Sequence, residues 1–340
     1  MVLTGIGPTG DGVLMIERGL SQKPDRYLDC CTTAARVVVI TDREVAALHA
    51  PTLSESLAST GRPVHTLVID GSEAAKSLEG VGSIYEQLSD INCCRDDVIL
   101  AFGGGSIIDM ATFAAATYLG GIQLVIMPTS LASMIDSSVS NKCYLNFRSS
   151  RNVIQTTGRP QRILIDPDYL NSLTPKQLAN GYAQVIRYGM ISDPELIRLL
   201  TAEDVDAEVI IQRAVQARIK TERENTDSLD FGRLVSDAIE GHFRFLKYQH
   251  GEALALGMLA ACPTEQMREL LQKHNLPTTL EGVTPETIIR RIVKSMQAQG
   301  SHSYSIVRIE SAGKPYLQTF KPEEAEALVS SLIAELEPPA

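Results

Sequence analysis

The chain has 340 residues, which is long for a single hydrophobic core and indicates two domains. Its composition, with 44% hydrophobic and 21% charged residues, is that of an ordinary globular protein. A formal net charge of −10 argues against a general nucleic-acid-binding protein, which normally carries a basic surface. A few local cations could still bind a small anion.

Short apolar runs alternate with helical segments in the first half of the chain. We predict a helix over residues 72–88 and strands over residues 36–42, 64–70, 97–105, 122–130 and 162–167. Such alternation is typical of an α/β domain with a Rossmann-like parallel sheet covered on both faces. Ligands of these sheets bind beyond the carboxyl ends of the strands.

The second half loses the β-branched runs and has the pattern of helices. Apolar residues recur at helical spacing in residues 174–191, 207–222 and 252–274. We therefore predict an all-α C-terminal domain over residues 166–340, following an α/β N-terminal domain over residues 1–165. A ligand cleft is expected between the two domains.

The six cysteines include two adjacent pairs, Cys30–Cys31 and Cys93–Cys94. Neither pair has the spacing C-x-x-C, and adjacent cysteines rarely form a disulfide, so we expect free thiols in a reducing compartment. The N-terminus lacks the pattern of a signal peptide, and the most apolar stretch, residues 111–127, is interrupted by polar residues. We expect a cytoplasmic protein with no membrane partner.

Three consecutive glycines, Gly103 to Gly105, end the third predicted strand, and a helix is expected to begin at about Ser106. Backbone N–H groups there could approach a pyrophosphate, although a tight structural turn is the alternative. Asp42, after the first strand, could take the hydroxyls of a ribose or could cap the next helix. Thr129 and Ser130 follow the fourth strand, where their hydroxyls could face the same cofactor.

A polar segment, residues 134–146, comes just after a predicted strand. Its Asp136 and Lys142 could be the charged pair of a pocket. They could equally be a solvent-exposed pair on a loop, and the residues alone leave both interpretations open.

The segment “FGRLVSDAIEGHFRFLKYQHGEA”, residues 231–253, predicts a helix, a turn and a second helix that begins at His250. A histidine in this polar setting is placed for a metal or for catalysis. The preceding helix, however, offers Arg233 and Asp237 where companion ligands would be expected.

The motifs and their order resemble the sugar phosphate cyclase family, above all its dehydroquinate synthase type. “GGGSIIDMATFAAATYLGGIQLVIMPTSLASMIDSSVSNK”, residues 103–142, matches the family's glycine loop, PTT segment and DSSVGGK segment without a gap. “LANGYAQVIRYG”, “LDFGRLVSDAIE” and “QHGEA” match three further motifs. The resemblance covers about residues 35–260.

This resemblance implies a two-domain protein that binds NAD in the cleft and commonly forms a homodimer. The family's enzymes use NAD to carry a hydride while they close a carbocycle from a sugar phosphate. A zinc ion, held by a Glu and two His, polarises the oxygen that is oxidised. Clustered Lys and Arg residues hold the phosphate and carboxylate of the substrate.

The residues that the resemblance implies for the cofactor half of the site are retained in this chain. The positions that it implies for nucleotide contact are Asp42, Glu73, Lys76, Gly103, Gly104, Gly105, Asp109, Thr129 and Ser130. Two nearby family glycines are Ile108 and Thr112 in this chain. We therefore expect NAD as the cofactor.

The substrate half is only partly retained. The candidate catalytic and substrate-contacting positions are Asp136, Lys142, Asn152, Arg187, Lys220, Arg233 and His250. Arginine stands at two positions where the family has lysine, Arg151 and Arg187. The positive charge is kept, but the shape of the cationic group changes. A substrate-binding Arg of the family is Gly120 here.

The metal-binding positions are changed most. The family's metal-binding Glu is Gln184, its first metal-binding His is Arg233, and only the last ligand, His250, remains. The family's second His of that helix is Asp237, and an Asn before it is Asp230. An amide is a poor zinc ligand and a guanidinium cannot be one, so we expect no zinc site. Arg233 and Asp237 are spaced to form an ion pair on one helix face.

Two function classes follow from these substitutions. The favoured one is a non-catalytic relative that binds NAD, alone or together with a small anionic ligand, and acts through binding, assembly or regulation. The other is a diverged, metal-independent cyclase or lyase that acts with NAD on another anionic sugar-like substrate. In that second class, Arg233 could stabilise an oxyanion in place of zinc.

Overall fold

The computed structural model describes residues 1–6, 10–31, 33–202, 205–298 and 300–337. The chain forms two compact units, Met1–Thr174 and Pro175–Ala340. The sequence predicts the boundary after residue 165, whereas the structure includes the short 3-10 helix Pro167–Ser172 in the first unit.

The first unit contains a seven-stranded sheet and a separate hairpin. Its strands are β1 (Val2–Ile6), β2 (Gly12–Ile16), β3 (Val37–Asp42), β4 (Val64–Ile69), β5 (Val98–Gly103), β6 (Gln123–Pro128), β7 (Lys142–Phe147), β8 (Ser150–Thr157) and β9 (Arg162–Ile165). The sheet order is β1-β2-β9-β6-β5-β3-β4, and every neighbouring pair is parallel except β1 and β2. The antiparallel hairpin of β7 and β8 stands apart from this sheet.

The predicted parallel sheet is confirmed, and its central strands form the core of the first unit. All six residues of β5 are buried, as are the first five of β3. Strands buried on both faces require continuous apolar sequence, which explains why the valine- and isoleucine-rich runs identified them.

Three α-helices connect the strands of the first unit: α1 (Arg43–Ala58), α2 (Leu78–Asp90) and α3 (Gly105–Thr117). Helix α2 begins at Leu78 rather than at Ser72, because the Ser77 side chain caps it by accepting a hydrogen bond from the Gly80 N–H at 3.2 Å. Residues 72–77, predicted to be helical, form a loop instead.

The second unit is mostly helical, but the predicted all-α domain is corrected by an antiparallel hairpin near its end. Its elements are α4 (Pro175–Ile191), α5 (Pro194–Thr201), α6 (Ala207–Glu224), α7 (Arg233–His242), α8 (His250–Ala261), α9 (Glu265–Lys273), α10 (Pro285–Ala298), β10 (Tyr304–Ser311), β11 (Lys314–Phe320) and α11 (Ala325–Ala334). The helical pattern of residues 252–274 is split between α8 and α9. Pro263 lacks an N–H, and the Thr264 hydroxyl caps α9 at the Met267 N–H, 3.2 Å away.

All six cysteines are free, which confirms the prediction of unbridged thiols. Within the described ranges, no helix is both long enough and apolar enough to span a lipid bilayer.

Candidate functional site

The predicted cofactor residues of the central strands lie at one edge of the sheet. Because β3, β5 and β6 are parallel neighbours, their carboxyl ends meet there. Asp42 ends β3, Gly103 ends β5, and Thr129 and Ser130 follow β6. The Thr129 N–H donates to the Gly103 carbonyl at 2.9 Å, so the ends of β5 and β6 are joined directly.

The glycines of the loop have different surroundings. A Cβ at Gly103 would lie 2.8 Å from the Cβ of Ile107, and a Cβ at Gly105 would lie 2.8 Å from a neighbouring serine hydroxyl. A Cβ at Gly104 would meet no atom closer than the Ser130 hydroxyl, at 3.8 Å. Gly104 is the N-cap of α3 and provides no side-chain cap. It therefore leaves open space at the N-terminus of α3, where a helix can receive a phosphate.

Asp42 caps α1, because its Oδ1 accepts a hydrogen bond from the Val45 N–H at 2.9 Å. The cap interpretation of this residue is thus confirmed, while ribose binding stays a prediction. An ideal Cβ at Gly71 would lie 3.1 Å from the Asp42 Oδ2, so the glycine permits a close approach of the two loops.

Hydroxyl groups order the turn after β6. The Ser130 N–H donates to the Ser133 Oγ at 3.1 Å, and the two hydroxyl oxygens are 2.9 Å apart. Ser133 is fully buried, and its hydroxyl donates to the Ser130 carbonyl at 2.9 Å. These bonds hold the Ser130 hydroxyl in a defined place beside the glycine loop.

Lys76 is the centre of a buried ion cluster. Its Nζ lies 2.9 Å from the Glu73 Oε1 and 3.1 Å from the Asp109 Oδ2, and it donates to the Asn152 Oδ1 at 2.9 Å. Only 2% of Lys76 is exposed. Arg151 adds a second cation, with its Nη2 3.5 Å from the Glu73 Oε1. The structure thus joins three predicted cofactor residues to a predicted substrate residue.

Charge interactions within this cluster outweigh the cost of burial at two of its members. Burial acts to raise the pKa of Glu73, but the charges of Arg151 and Lys76 lower it far below its usual value. Burial acts to lower the pKa of Lys76, but Glu73 and Asp109 raise it. At Asp109, burial dominates and raises the pKa, since this carboxylate shares Lys76 with Glu73. Glu73 and Lys76 are therefore an ion pair at neutral pH.

Asn146, which is not among the predicted site residues, joins the two sides of the cluster. Its Nδ2 donates to the carbonyl oxygen and to the Oε1 of Glu73, both at 3.0 Å. Its Oδ1 accepts from the Asn152 N–H at 2.9 Å, and its N–H donates to the Lys76 carbonyl at 2.8 Å. Asn152 has a φ of 54°, which Asn tolerates better than most residues. The sequence offered one indication of this role, because the amide side chain of Asn146 directly follows the apolar pair Tyr144–Leu145.

Asp136 and Lys142 belong to different elements of the first unit. Asp136 lies in a π-helical turn, Ser133–Ser137, a rare backbone form that is frequent at functional sites. Lys142 is the first residue of β7 and is exposed. Their interpretation as a pocket pair stays a prediction.

Ile108 and Thr112, which stand at family glycine positions, are both buried in α3. The Thr112 hydroxyl has no hydrogen-bond partner in the described part of the chain. Its methyl carbon would lie 2.5 Å from a Cβ at Gly158, so this residue packs closely against the segment that follows β8.

Two predicted site residues of α4 are buried in the second unit. Gln184 is 1% exposed, and its Oε1 has no hydrogen-bond partner among the described residues. Arg187 donates from Nη1 to the Leu229 carbonyl at 3.3 Å and from Nη2 to the Tyr188 hydroxyl at 3.1 Å. An unsatisfied buried amide oxygen lowers stability by about 1–3 kcal/mol. A contribution to stability therefore does not explain why glutamine occupies position 184.

Arg233, the first residue of α7, is held between two carboxylates. Its Nη1 lies 2.8 Å from the Asp230 Oδ1, and its Nη2 lies 3.6 Å from the Asp237 Oδ2. The predicted pair with Asp237 is confirmed, and Asp230 is an additional partner. All three residues line a cavity of about 500 Å³ within the second unit.

His250 is the first residue of α8, as predicted. Its Nδ1 lies 3.2 Å from the Oε2 of Glu240, a carboxylate of α7 that is only 1% exposed. This contact orients the ring and uses one of its two nitrogens.

Lys220 lies on an exposed face of α6. Its side chain is 58% exposed, and its Nζ lies 4.0 Å from the Glu224 Oε2, one helical turn away. Among the described residues, no contact joins Lys220 to another predicted site residue. Gly120, at the position of a family Arg, has a φ of 76°, in the left-handed region that favours glycine.

The residues at the family's metal positions do not fit a zinc ion. Only His250 offers a nitrogen ligand, whereas Gln184 offers a neutral amide and Arg233 a cation. In the ranges that the structure describes, no three His, Cys, Asp or Glu side chains are grouped so that they could hold a metal. The available donors therefore do not form a zinc site of the family's type.

Comparison with known proteins agrees with the fold. Residues 66–180 match the family model of the 3-dehydroquinate synthase N-terminal domain, and residues 181–298 match that of its C-terminal domain. The 3-dehydroquinate synthases of Streptococcus pneumoniae strain 70585 and Streptococcus sanguinis strain SK36 are each 31% identical to this chain. In both cases the match covers 92% of this chain and 94% of the relative.

Two solved structures are similar over 94% of this chain and 96% of their own length. One is 2-epi-5-epi-valiolone synthase from Streptomyces hygroscopicus subsp. jinggangensis 5008 with NAD⁺ and Zn²⁺ bound, at 25% identity and a TM-score of 0.82. The other is 2-deoxy-scyllo-inosose synthase complexed with carbaglucose-6-phosphate, NAD⁺ and Co²⁺, at 20% identity and a TM-score of 0.79. By its sequence matches and its fold, the chain belongs to the 3-dehydroquinate synthase family of sugar phosphate cyclases.

Proposed function

We propose that this chain is an NAD-binding member of the family that lacks the zinc-dependent cyclase reaction and acts through binding or regulation. The observation that carries this proposal is the guanidinium of Arg233, bound between Asp230 and Asp237. The family resemblance places a metal-binding His at this position. A fixed cation there repels Zn²⁺, and the nearest carboxylates already have a positive partner.

The cofactor half of the proposal rests on the first unit. The loop around Gly104 leaves room for a phosphate at the N-terminus of α3, and the valiolone synthase that resembles this chain holds NAD⁺. NAD, when bound, supplies a hydride acceptor. Asp42, Ser130 and the Lys76 cluster are the residues of this chain that would hold the nucleotide.

Loss of the cyclase reaction is supported by further changes outside the metal positions. Asp237 stands where the family has a catalytic, phosphate-contacting His, and Gly120 stands where it has a substrate-binding Arg. An anionic side chain at position 237 would also repel the phosphate of a sugar phosphate. These changes remove both proton handling and substrate binding.

A second candidate is a metal-independent cyclase or lyase with an altered anionic substrate. It is favoured by Arg187, a guanidinium that stands at a family Lys position and is only 5% exposed. Arg233 would then stabilise an oxyanion, as preorganised cations do in other enzymes. To do so, its guanidinium would have to exchange Asp230 or Asp237 for the substrate.

Metal content and turnover separate these candidates from an ordinary family enzyme. Protein incubated with excess Zn²⁺ and then desalted should retain well under one zinc per chain. It should not convert the substrate of 3-dehydroquinate synthase, with or without Zn²⁺ and NAD, because losing even one oxyanion-stabilising group costs about 10²–10³ in rate. Stoichiometric zinc bound at His250, or robust turnover, would contradict the proposal.

Restoring the family's metal ligands gives a positive control. The double variant Gln184→Glu with Arg233→His should bind zinc, since it again presents a carboxylate and two imidazoles. We expect zinc binding to return before turnover, because Gly120 and Asp237 are still in place. If the double variant binds no more zinc than the parent, the alignment of these positions is wrong.

NAD binding is tested by calorimetry with a matched pair of glycine variants. The parent should bind NAD, and Gly104→Asp should weaken binding about 100-fold or more, because a carboxylate would meet the pyrophosphate. Gly82→Asp, on α2, also adds a carboxylate in open space and should leave NAD affinity unchanged. A parent that binds no NAD at millimolar concentration would refute the cofactor assignment.

The family resemblance also leads us to propose a homodimer, and the six free thiols lead us to propose a cytoplasmic location. Light scattering of the purified protein tests the first, and microscopy of a tagged chain tests the second.

A further inference from the structure

The two adjacent cysteine pairs look alike in the sequence but differ in the structure. The Sγ atoms of Cys30 and Cys31 are 3.5 Å apart. In the other pair, the Cys93 Sγ instead faces the Cys94 carbonyl oxygen at 4.0 Å, and the structure, which describes both residues, has no sulfur–sulfur contact there. Of these two pairs, only the first therefore has its sulfur atoms close enough together for a single atom to bridge them.

The two thiols of the first pair are unequal. Cys31 is fully buried, whereas Cys30 is partly exposed. A hydrogen bond from Cys31 and the charge of Arg162 lower the pKa of Cys30, despite its partial burial. The hydrogen bond to Cys30 and the burial of its own thiol both raise the pKa of Cys31. Cys30 is thus the thiol that reacts first, and Cys31 is the neighbour that reacts second.

A disulfide is a poor product for this pair. Adjacent Cα atoms are about 3.8 Å apart across a trans peptide, which is below the about 4.4 Å that unstrained disulfides need. A third atom that bonds to both sulfurs avoids this strain, because it can bridge the present 3.5 Å separation without closing it.

We propose that Cys30 and Cys31 form a dithiol site that chelates thiophilic trivalent elements. The ligand class that we assign to it is the trivalent arsenicals. Trivalent arsenic is pyramidal, so its two sulfur ligands lie close together, as they do here. Linear two-coordinate metal ions instead need their sulfurs on opposite sides.

The reaction with an aryl arsenoxide balances without an oxidant. Two arsenic–sulfur bonds form and the arsenic–oxygen bonds break. The two thiol protons leave with the oxygen as water, and arsenic remains trivalent. Cys30 adds first as the more readily ionised thiol, and Cys31 closes the ring.

The dithiol lies away from the predicted cofactor edge. Cys30 and Cys31 belong to the 3-10 turn Asp29–Cys31, which precedes the amino end of β3, whereas the cofactor residues follow the carboxyl ends of the strands. Occupation of the dithiol should therefore leave NAD affinity unchanged. The two proposals can thus fail independently.

The test is a titration of the full chain with phenylarsine oxide, followed by intact mass and by counting of free thiols. We expect one adduct per chain, loss of two thiols, resistance to excess monothiol and release by a dithiol. Cys30→Ser should reduce retention against monothiol at least about tenfold, because chelation requires both sulfurs. The matched control, Cys93→Ser with Cys94→Ser, should retain the adduct as the parent does.

Cys31→Ser removes the second sulfur and should have the same effect as Cys30→Ser. If burial of a hydroxyl at position 31 prevents folding, the partly exposed Cys30→Ser variant decides alone, with thermal unfolding as the check on its fold. Equal retention by Cys30→Ser and the parent, an adduct on Cys93 or Cys94, or no stable adduct would each overturn the proposal.

Discussion

The ion clusters around Lys76 and around Arg233 contain the same kinds of groups in different surroundings. The side chain of Lys76 is 2% exposed and that of its partner Asp109 is 9% exposed, whereas those of Arg233 and Asp230 are 38% and 63% exposed. Buried ion pairs are expensive to break, and exposed ones contribute little. The fold therefore fixes the predicted cofactor residues firmly, while the charges at the altered metal positions can change with little effect on stability.

The largest effect should come from Lys76→Met. This change leaves the buried Asp109 and the partly buried Glu73 without their shared cation, and removal of one partner of a buried pair costs about 3–5 kcal/mol. The free energy of unfolding, from denaturant titration monitored by circular dichroism, measures it.

Lys220→Met is the matched control for Lys76→Met. It removes the same charge from an exposed side chain whose partner is 4.0 Å away, and should change stability by less than about 0.5 kcal/mol. Similar losses in the two variants would mean that the Lys76 cluster is solvated in the native protein.

Asn146→Ala should have the next largest effect, about 2–3 kcal/mol, because it removes two hydrogen bonds to Glu73 and leaves the Asn152 N–H without its partner. NAD affinity should fall as well if Asn146 holds the cofactor residues in place. Gln155→Ala, at an exposed position of the same hairpin, provides the control. An unchanged NAD affinity with lowered stability would restrict Asn146 to a structural role.

The pH dependence of stability should follow the same cluster. The pKa of Glu73 is lower in the folded state than its ordinary 4.5, so its contribution is complete above about pH 4.5 and is lost as pH falls below it. The pKa of Lys76 is raised above its ordinary 10.5, so its contribution is complete below that pH and is lost as pH rises through the folded value. Below pH 4.5 we expect Glu73 to contribute a slope of about 1 kcal/mol per pH unit.

Glu73→Gln isolates the acid part of this dependence. Its unfolding free energy, measured by denaturant titration from pH 3 to pH 7, should fall less steeply below pH 4.5 than that of the parent. Identical slopes would show that other carboxylates dominate acid unfolding.

Apart from the control variants, the smallest effect should come from Arg233→Ala. Its ion pairs with Asp230 and Asp237 are partly exposed, and such pairs contribute about 0–1 kcal/mol. Thermal unfolding at low and high salt measures this contribution, which should shrink further in salt. A loss of several kcal/mol would mean that Arg233 organises the second unit and is more than a replaced ligand.

The sequence predicted five of the seven strands of the sheet, because these are local apolar runs, but it did not predict β1 and β2. Strands β3 and β5 were recognisable from their valine and isoleucine content alone, and His250 was correctly placed at the start of α8. The resemblance to the family supplied the site positions, which periodicity could not have done.

The loop over residues 72–77 and the hairpin of β7 and β8 were not predictable in the same way. Glu73 and Lys76 occur in a sequence with helical character, and a lysine there would ordinarily face solvent. In the structure Lys76 is buried and Glu73 is partly buried, and they bond to Asn152 and Asn146, which are some seventy residues away in the chain. Contacts between residues so far apart in the chain leave no local pattern in the sequence.

The position of β2 in the sheet has a consequence for how the protein folds during synthesis. Strand β2 pairs with β1 and with β9, so, within the described ranges, its one partner outside the short N-terminal hairpin is synthesised about 150 residues later. A two-stranded hairpin is marginally stable alone. At typical ribosomal rates, the apolar side chains of Leu14 and Ile16 therefore wait roughly 7–30 s for Ile163 and Ile165, their partners in register. We expect the segment that forms β2 to be the part of the nascent chain most in need of chaperone protection.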